Sequence, residues 1–343
     1  MPAVAHLLPA VMKIYLARAE GVTGGYSFVP ELSRRLREQR SPYLHREVDD
    51  PIAADVVLFA DCHLLGSDWR LRRFMGTDLA KRYLGKLAVY DERDMPWCRL
   101  PGIYVSMPSR GFVPRWQVPG AYWTSGPLQG RSPCGSPVDQ ADLLFSFVGT
   151  RTHPCRDAIL DLGSRRAHLE PVEGFMFWDT SSPNFEERRR NFAEVIYRSK
   201  FVLCPRGHGT SSIRLYEVLS AGRVPVVIAD DWVAPAGPDW QQFSIRWPEA
   251  RVAELPAVLG RMEGAAEEMG ARARSAYESW FAPHVVVSRQ LDQLERLVMP
   301  PGRGRFPRGG AKNVQYLECA GRAAVGALRR AREHRHAETD EAK

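Results

Sequence analysis

Arg206, Gly207, Gly209, Thr210, Ser211, Ser212 and Arg214 fall together in the run CPRGHGTSSIRLYE. Their types and spacing suit the binding of a phosphate group. The glycines let backbone approach a ligand closely, and the hydroxyls sit where a helix should begin. A helix start offers free N–H groups at the positive end of a dipole. An arginine fork grips two phosphate oxygens at once. Glu217 follows Arg214 by about one turn, placed to accept hydrogen bonds from vicinal hydroxyls or to pair with Arg214 across that turn. Asp230 and Asp231 are adjacent and followed by Trp232, which does not make a D-x-D metal motif. No metal ligand set is expected among these residues.

Such side chains need elements to hold them. FVLC at Phe201 to Cys204 is too short for a helix and stops at Pro205 and Gly207, so it reads as a buried parallel strand. The spacing of Ile213, Tyr216, Val218, Leu219 and Ala221 predicts a helix with one apolar side, ending at Gly222. VPVVI at Val224 to Ile228 supplies a second β-branched strand. Strand, helix and strand in this order place the ligand chemistry at the strand ends, where open α/β sheets bind.

The order P-R-G…S-S-x-R-L-Y-E-x-L-x-x-G-x-V-P-V-x-I-x-D-x-W, continued by W-x-x-F-S-I at Trp240 to Ile245 and by Glu249, resembles the exostosin family of glycosyltransferases (GT47-like). The resemblance is specific over about 50 residues. It implies an α/β fold of the GT-B type, two Rossmann-like domains facing a central cleft. It also implies a nucleotide-sugar donor, usually UDP-linked, with no cofactor and no required metal. On that resemblance Arg206, Gly207, Ser211, Ser212 and Arg214 are expected at the diphosphate, Glu217 at the ribose, and Asp231 and Glu249 on the sugar or base side. Phe147, Gly149 and Arg156 match loosely a strand ending in glycine and followed by an arginine near a helix start, which adds Arg156 to the donor set. The family is grouped with inverting enzymes, which need a base for the acceptor hydroxyl. Asp61 and His63, after the strand ADVVLFA, are the candidates, against the alternative of a capping Asp and a structural His.

At 343 residues the chain exceeds one ordinary core. An acceptor-side domain is expected over 1–130 and a nucleotide-sugar domain over 140–282, with the Pro/Gly/Ser-dense stretch from Pro119 to Pro137 between them. A helix over 283–299 is expected, on the resemblance, to return to the first domain. A basic tail covers 300–343. Between Pro300 and His336 basic residues outnumber acidic ones by seven, which accounts for the net charge of +7. That tail suits solubility or contact with anionic lipid or polymer.

The six cysteines are scattered without metal spacing, and no apolar run of 18 residues occurs. The expectation is therefore a cytoplasmic protein, peripheral at the inner membrane face if the tail makes that contact. Its expected partners are the donor and a glycan, lipid-linked or small-molecule acceptor, with no nucleic acid. Two other readings remain open: a fucosyltransferase-like GT-B enzyme using GDP-fucose, and a non-catalytic nucleotide- or polyanion-binding protein. Arg214 stands where the fucosyltransferase pattern carries Lys, which favours the exostosin side.

Overall fold

The computed structural model describes residues 11–18, 27–38, 45–61, 73–96, 100–123, 138–173 and 184–298. His63, Trp97, most of the Pro/Gly/Ser stretch and the basic tail lie outside the described residues. The chain divides into two units, between Gly120 and Ala121 and again between Val286 and Val287. The helix Val286–Val298 thus falls almost wholly in the first unit, where His45 Nε2 lies 3.0 Å from Asp292 Oδ1.

The first unit carries β1 (Lys13–Ala17), β2 (Arg46–Glu47), β3 (Val56–Phe59), β4 (Leu87–Asp91), β5 (Gly102–Tyr104) and β6 (Gln117–Pro119). All pair parallel, in the order β2-β1-β3-β4-β5-β6. The second unit carries β7 (Leu143–Gly149), β8 (Ala167–Pro171), β9 (Ser199–Pro205), β10 (Val224–Ile228) and β11 (Ile245–Arg246). These are also parallel, in the order β11-β10-β9-β7-β8. Each sheet therefore starts in its interior, steps to one side for its second strand and returns past the first for its third. That reversal opens a crevice at the carboxyl ends of β1 and β3 in one unit, and of β7 and β9 in the other.

The strands that the sequence shows as apolar runs are the central, buried ones. β3, β4, β9 and β10 have almost every residue buried, as sheets covered on both faces require. β2, β6, β8 and β11 had no such signal. β8 (AHLEP) has no fully buried residue, and β2 and β11 are two residues long. All four are edge strands, read from neighbours rather than from their own composition. The sequence also reads as helical over Phe28 to Arg40, from Pro154 and over Asn184 to Tyr197, and helices form at Val29–Glu38, Pro154–Leu160, Phe185–Tyr197, Ile213–Ser220 and Val286–Val298. The apolar stretch that reads as a helix from Val252 to Met262 instead begins as a 3-10 segment, Glu249–Glu254, before the helix Leu255–Met262. The last turn of the stretch Ala265 to Phe281 widens to a π-helix over Tyr277–Phe281. Among the described residues no helix is long and apolar enough to cross a membrane.

The W-x-x-F-S-I segment is a packing device. Trp240 donates its indole N–H to Pro235 O at 2.8 Å and packs against Trp232, Phe243 and Phe281, with centroids 5.3, 5.3 and 5.5 Å away. Phe281 in turn meets Tyr216 of the helix Ile213–Ser220 at 5.1 Å. Trp123, a candidate sugar-stacking residue by type, is wholly buried, and Tyr122 packs edge-on against Tyr216. Between Trp232 and Trp240, Gly237 has a φ of 125°, strained for any side chain, and an added Cβ there would lie 2.2 Å from Trp280. Gly237→Ala is expected to destabilise the protein by at least about 2 kcal/mol, read from the urea midpoint. An unchanged midpoint would show that the loop yields freely.

Candidate functional site

The crevice between β7 and β9 gathers most of the residues singled out in the sequence. β9 ends at Pro205, and the loop from Arg206 to Ser212 leads into the helix Ile213–Ser220. Ser212 caps that helix by position, yet its side chain makes no cap hydrogen bond. The first turn of the helix therefore presents backbone N–H groups that its own cap does not fill.

Arg214 is buried beneath this loop. Its Nη2 donates to Val148 O at 2.5 Å, and its guanidinium lies over Phe147 and Phe192 at 4.8 and 5.7 Å from the ring centroids. Burial pulls it below the ordinary arginine range, with Cys204 and Glu217 countering. Gly149 makes the space, since a Cβ there would stand 2.8 Å from Arg214 Nη2 and 3.0 Å from the Phe147 ring. Gly149→Ala is accordingly expected to displace the guanidinium and to weaken nucleoside-diphosphate binding by about tenfold, the worth of one lost charge-assisted hydrogen bond. Isothermal titration reads the change, and wild-type affinity would refute the steric coupling.

Glu217, one turn beyond Arg214, is also buried. Burial pushes its carboxyl up to about 7, while Arg214 and Arg189 pull the other way. Arg156 has another task. Its Nε donates to Arg206 O at 2.8 Å, Nη1 to Thr150 O at 3.0 Å and Nη2 to Pro205 O at 3.3 Å. It therefore ties the loop after β7 to the loop after β9 and shapes the site from within. Gly207 packs against that tie, with an added Cβ 3.1 Å from Arg156 Nη2 and 3.2 Å from Thr152 Oγ1.

Among the described residues, six buried polar atoms around this crevice have no hydrogen-bond partner: Thr152 Oγ1, Arg206 Nε, Thr210 Oγ1, Ser211 Oγ, Arg214 Nε and Glu217 Oε1. Folded proteins rarely leave such groups unpaired, so their concentration in one place marks where a polar ligand completes them. Five are hydrogen-bond donors or hydroxyls and one is a carboxylate oxygen, a set that suits phosphate oxygens beside sugar hydroxyls. Ser211 is buried on the same loop, its hydroxyl beside that of Tyr216.

Asp230 and Glu249 hold each other. Asp230 N donates to Glu249 Oε1 at 3.0 Å, and Glu249 N donates to Asp230 Oδ1 at 3.1 Å. The free oxygen, Oε2, lies 3.9 Å from His153 Nδ1. Burial and the charges of Arg206 and Arg156 lower the His153 pKa against the pull of Glu249. Asp231 is half-buried at the end of β10.

Asp61 sits at the corresponding crevice of the first unit, after β3. It is fully buried, and its two oxygens accept from Phe28 N and Ser27 Oγ, each at 2.8 Å. Those bonds fix the start of the helix Val29–Glu38, the capping arrangement that stands as the alternative to a base. His63 lies outside the described residues.

The sequence singled out Thr210 among the loop hydroxyls, but neither Thr152 nor His153. Thr210 carried a signal, its place at a helix start. Thr152 and His153 become visible only once β7 and β9 are known to be neighbours. Cys155 and Cys204 are free and buried, and burial pushes their thiols up to about 11 and about 12.

The model of the Exostosin GT47 domain matches residues 91–262, half of the chain. An exostosin-1 homolog of Caenorhabditis elegans is 32% identical over 118 residues, which are 34% of this chain and 30% of that protein. A probable glycosyltransferase of Arabidopsis thaliana is 30% identical over 155 residues, 44% of this chain and 28% of that protein. Human exostosin-2 is 32% identical over 94 residues, covering 26% and 13% of the two chains. The matched part of the chain thus spans less than a third of the length of these relatives. Among solved structures, a glycosyltransferase from Rickettsia africae aligns at 9% identity with a TM-score of 0.40, over 85% of this chain and 99% of that one. Family motif, parallel α/β architecture and the crevice that holds Arg214 and Glu217 thus coincide in residues 91–262, and the chain belongs to the exostosin GT47 family.

Proposed function

We propose that this protein is a glycosyltransferase whose second unit binds a nucleoside-diphosphate sugar and passes the sugar to a hydroxyl of a glycan, lipid-linked or small-molecule acceptor. The observation that carries the proposal is the set of six buried polar atoms, partnerless among the described residues, around an uncapped helix start at the crevice of a parallel sheet. A departing nucleoside diphosphate gains negative charge as the glycosidic bond breaks. Arg206, Arg214 and the N–H groups at Ile213 meet that charge with fixed donors, most of them shielded from water, where each is worth more. Glu217 Oε1 accepts from a ribose hydroxyl. Asp231 faces the sugar or base side.

With the diphosphate held in this way, displacement is direct and inverting and needs no added Mg²⁺ or Mn²⁺. Arg214, in place of the Lys of the fucosyltransferase pattern, supports a UDP-linked donor. The relatives, exostosins and probable glycosyltransferases, support the reaction class. The proposal includes a cytoplasmic setting, with the basic residues beyond Pro300 as a contact for anionic surfaces.

The test is a donor panel in which release of nucleoside diphosphate is measured from UDP- and GDP-sugars without added divalent cation. UDP-sugar turnover is expected, together with a rise in melting temperature on adding UDP. If neither UDP nor GDP protects the protein, the proposal fails. Protection without turnover on any donor would leave a nucleotide-binding protein in its place.

A further inference from the structure

His153, Cys155 and Glu249 bring a nitrogen, a sulfur and an oxygen together beside the donor crevice, from two segments nearly a hundred residues apart. His153 Nδ1 lies 3.1 Å from Cys155 Sγ and 3.9 Å from Glu249 Oε2, and all three atoms fall within 4.8 Å of one another. We propose that they form a three-ligand site for a zinc-like transition-metal ion, with water as the fourth ligand.

The spacing agrees with the chemistry. Zinc binds sulfur at about 2.3 Å and nitrogen or oxygen at about 2.0–2.2 Å, so tetrahedral ligand atoms sit roughly 3.3–3.6 Å apart. The observed 3.1 and 3.9 Å bracket that range. The imidazole is already oriented. Cys155 N donates to the Nδ1 lone pair at 3.3 Å, which puts the neutral ring's proton on Nε2, and metal binding at Nδ1 would exchange that long hydrogen bond for the ion. Glu249 is held in the same sense, because Asp230 N occupies Oε1 and leaves Oε2 for the metal. A ligand oriented by a fixed neighbour is the usual form of metal sites.

Charge also balances. A thiolate, a carboxylate and a neutral imidazole offset the two positive charges of the ion, so the loaded site is neutral, the Cys155 proton leaving to solvent as the ion binds. The side chains of His153 and Glu249 are 25% and 20% exposed, which leaves an entry for the ion and its water. Sulfur and nitrogen donors select zinc or cobalt over magnesium and calcium. The ion would pin the loop after β7 to the segment Glu249–Glu254, and it would take Glu249 out of any contact with the donor sugar. This proposal stands whether or not the chain transfers a sugar.

The full-length protein, reduced and stripped of metal, is titrated with Co²⁺ and the visible and near-ultraviolet spectrum recorded. One equivalent is expected to bind, with the intense bands of four-coordinate cobalt and a thiolate charge-transfer band, and Zn²⁺ should displace it. Cys155→Ser should abolish the charge-transfer band, and Glu249→Gln should weaken binding at least about tenfold. Retention of the band in Cys155→Ser would assign the metal to another cysteine and overturn the proposal. So would the absence of any binding below millimolar Co²⁺. If Cys155→Ser does not fold, His153→Ala and Glu249→Gln decide the matter: loss of affinity in both supports the site, and wild-type affinity in either overturns it.

Discussion

Arg214→Ala is expected to lower the maximal rate of nucleoside-diphosphate release by about 100- to 1000-fold, the cost of removing one fixed donor from a developing charge. The guanidinium is nine-tenths buried, braced on Phe147 and anchored through Nη2 to Val148 O, so it is held before the donor arrives. Its Nε has no partner among the described residues, and the proposed diphosphate would fill that place. Because the group is already out of water, little reorganisation is spent when charge develops. Arg214→Lys keeps the charge and loses the planar fork and the ring stacking, so an intermediate loss of about tenfold is expected. Melting curves must accompany the rates, since alanine also strips Glu217 of a neighbouring cation. A folded alanine variant with a rate within a few-fold of wild type would remove Arg214 from the phosphate site.

Glu217→Gln is expected to stabilise the protein at neutral pH while weakening nucleotide binding. The folded carboxyl titrates at about 7 against an ordinary value of 4.5, because burial disfavours its charge. Below pH 4.5 both folded and unfolded chains keep the proton, and the carboxyl costs nothing. Between pH 4.5 and 7 the unfolded chain gives up its proton first, so stability falls as pH rises. The loss is complete just above pH 7 and amounts to about 3 kcal/mol. Glutamine does not ionise and should lack that slope. Urea midpoints at pH 5, 6, 7 and 8 therefore converge at low pH and separate by pH 8, with Gln the more stable. Parallel curves for the two proteins would refute the burial cost. Nucleotide affinity is expected to change in the opposite direction, because on the proposed function a ribose hydroxyl loses its anionic acceptor. Stability given up at a buried carboxylate and regained in binding is the pattern of a functional group rather than a packing one.

The parts of the fold legible in the sequence were those whose own residues carry the cause. FVLC, VPVVI, LAVYD and VVLF announced central strands because strands buried on both faces must be apolar throughout. The helix Ile213–Ser220 was legible from its apolar spacing and from Gly222, whose φ of 66° ends it. Its open N-terminus followed from the same reading. The edge strands β2, β6, β8 and β11 were not legible, because nothing in a segment that is short, as β2, β6 and β11 are, or largely exposed, as β8 is, distinguishes it from a loop until its partner is known.

The site divides along the same line. Sequence alone determined that Arg206, Ser211, Ser212, Arg214 and Glu217 belong to one loop and helix start, since their spacing puts them within two turns of one another, and the motif they form carries the family. Only the tertiary structure decided what each side chain is free to do. It commits Arg156 to three backbone carbonyls, leaves Arg214 Nε and Glu217 Oε1 unpaired, and closes both oxygens of Asp61 on Ser27 and Phe28. It also joins His153 and Cys155 to Glu249 across the sheet. Local spacing fixes which residues lie near one another along a helix or loop. Hydrogen-bond partners and burial depend on strands that meet from distant parts of the chain, and those are set only when the sheet closes.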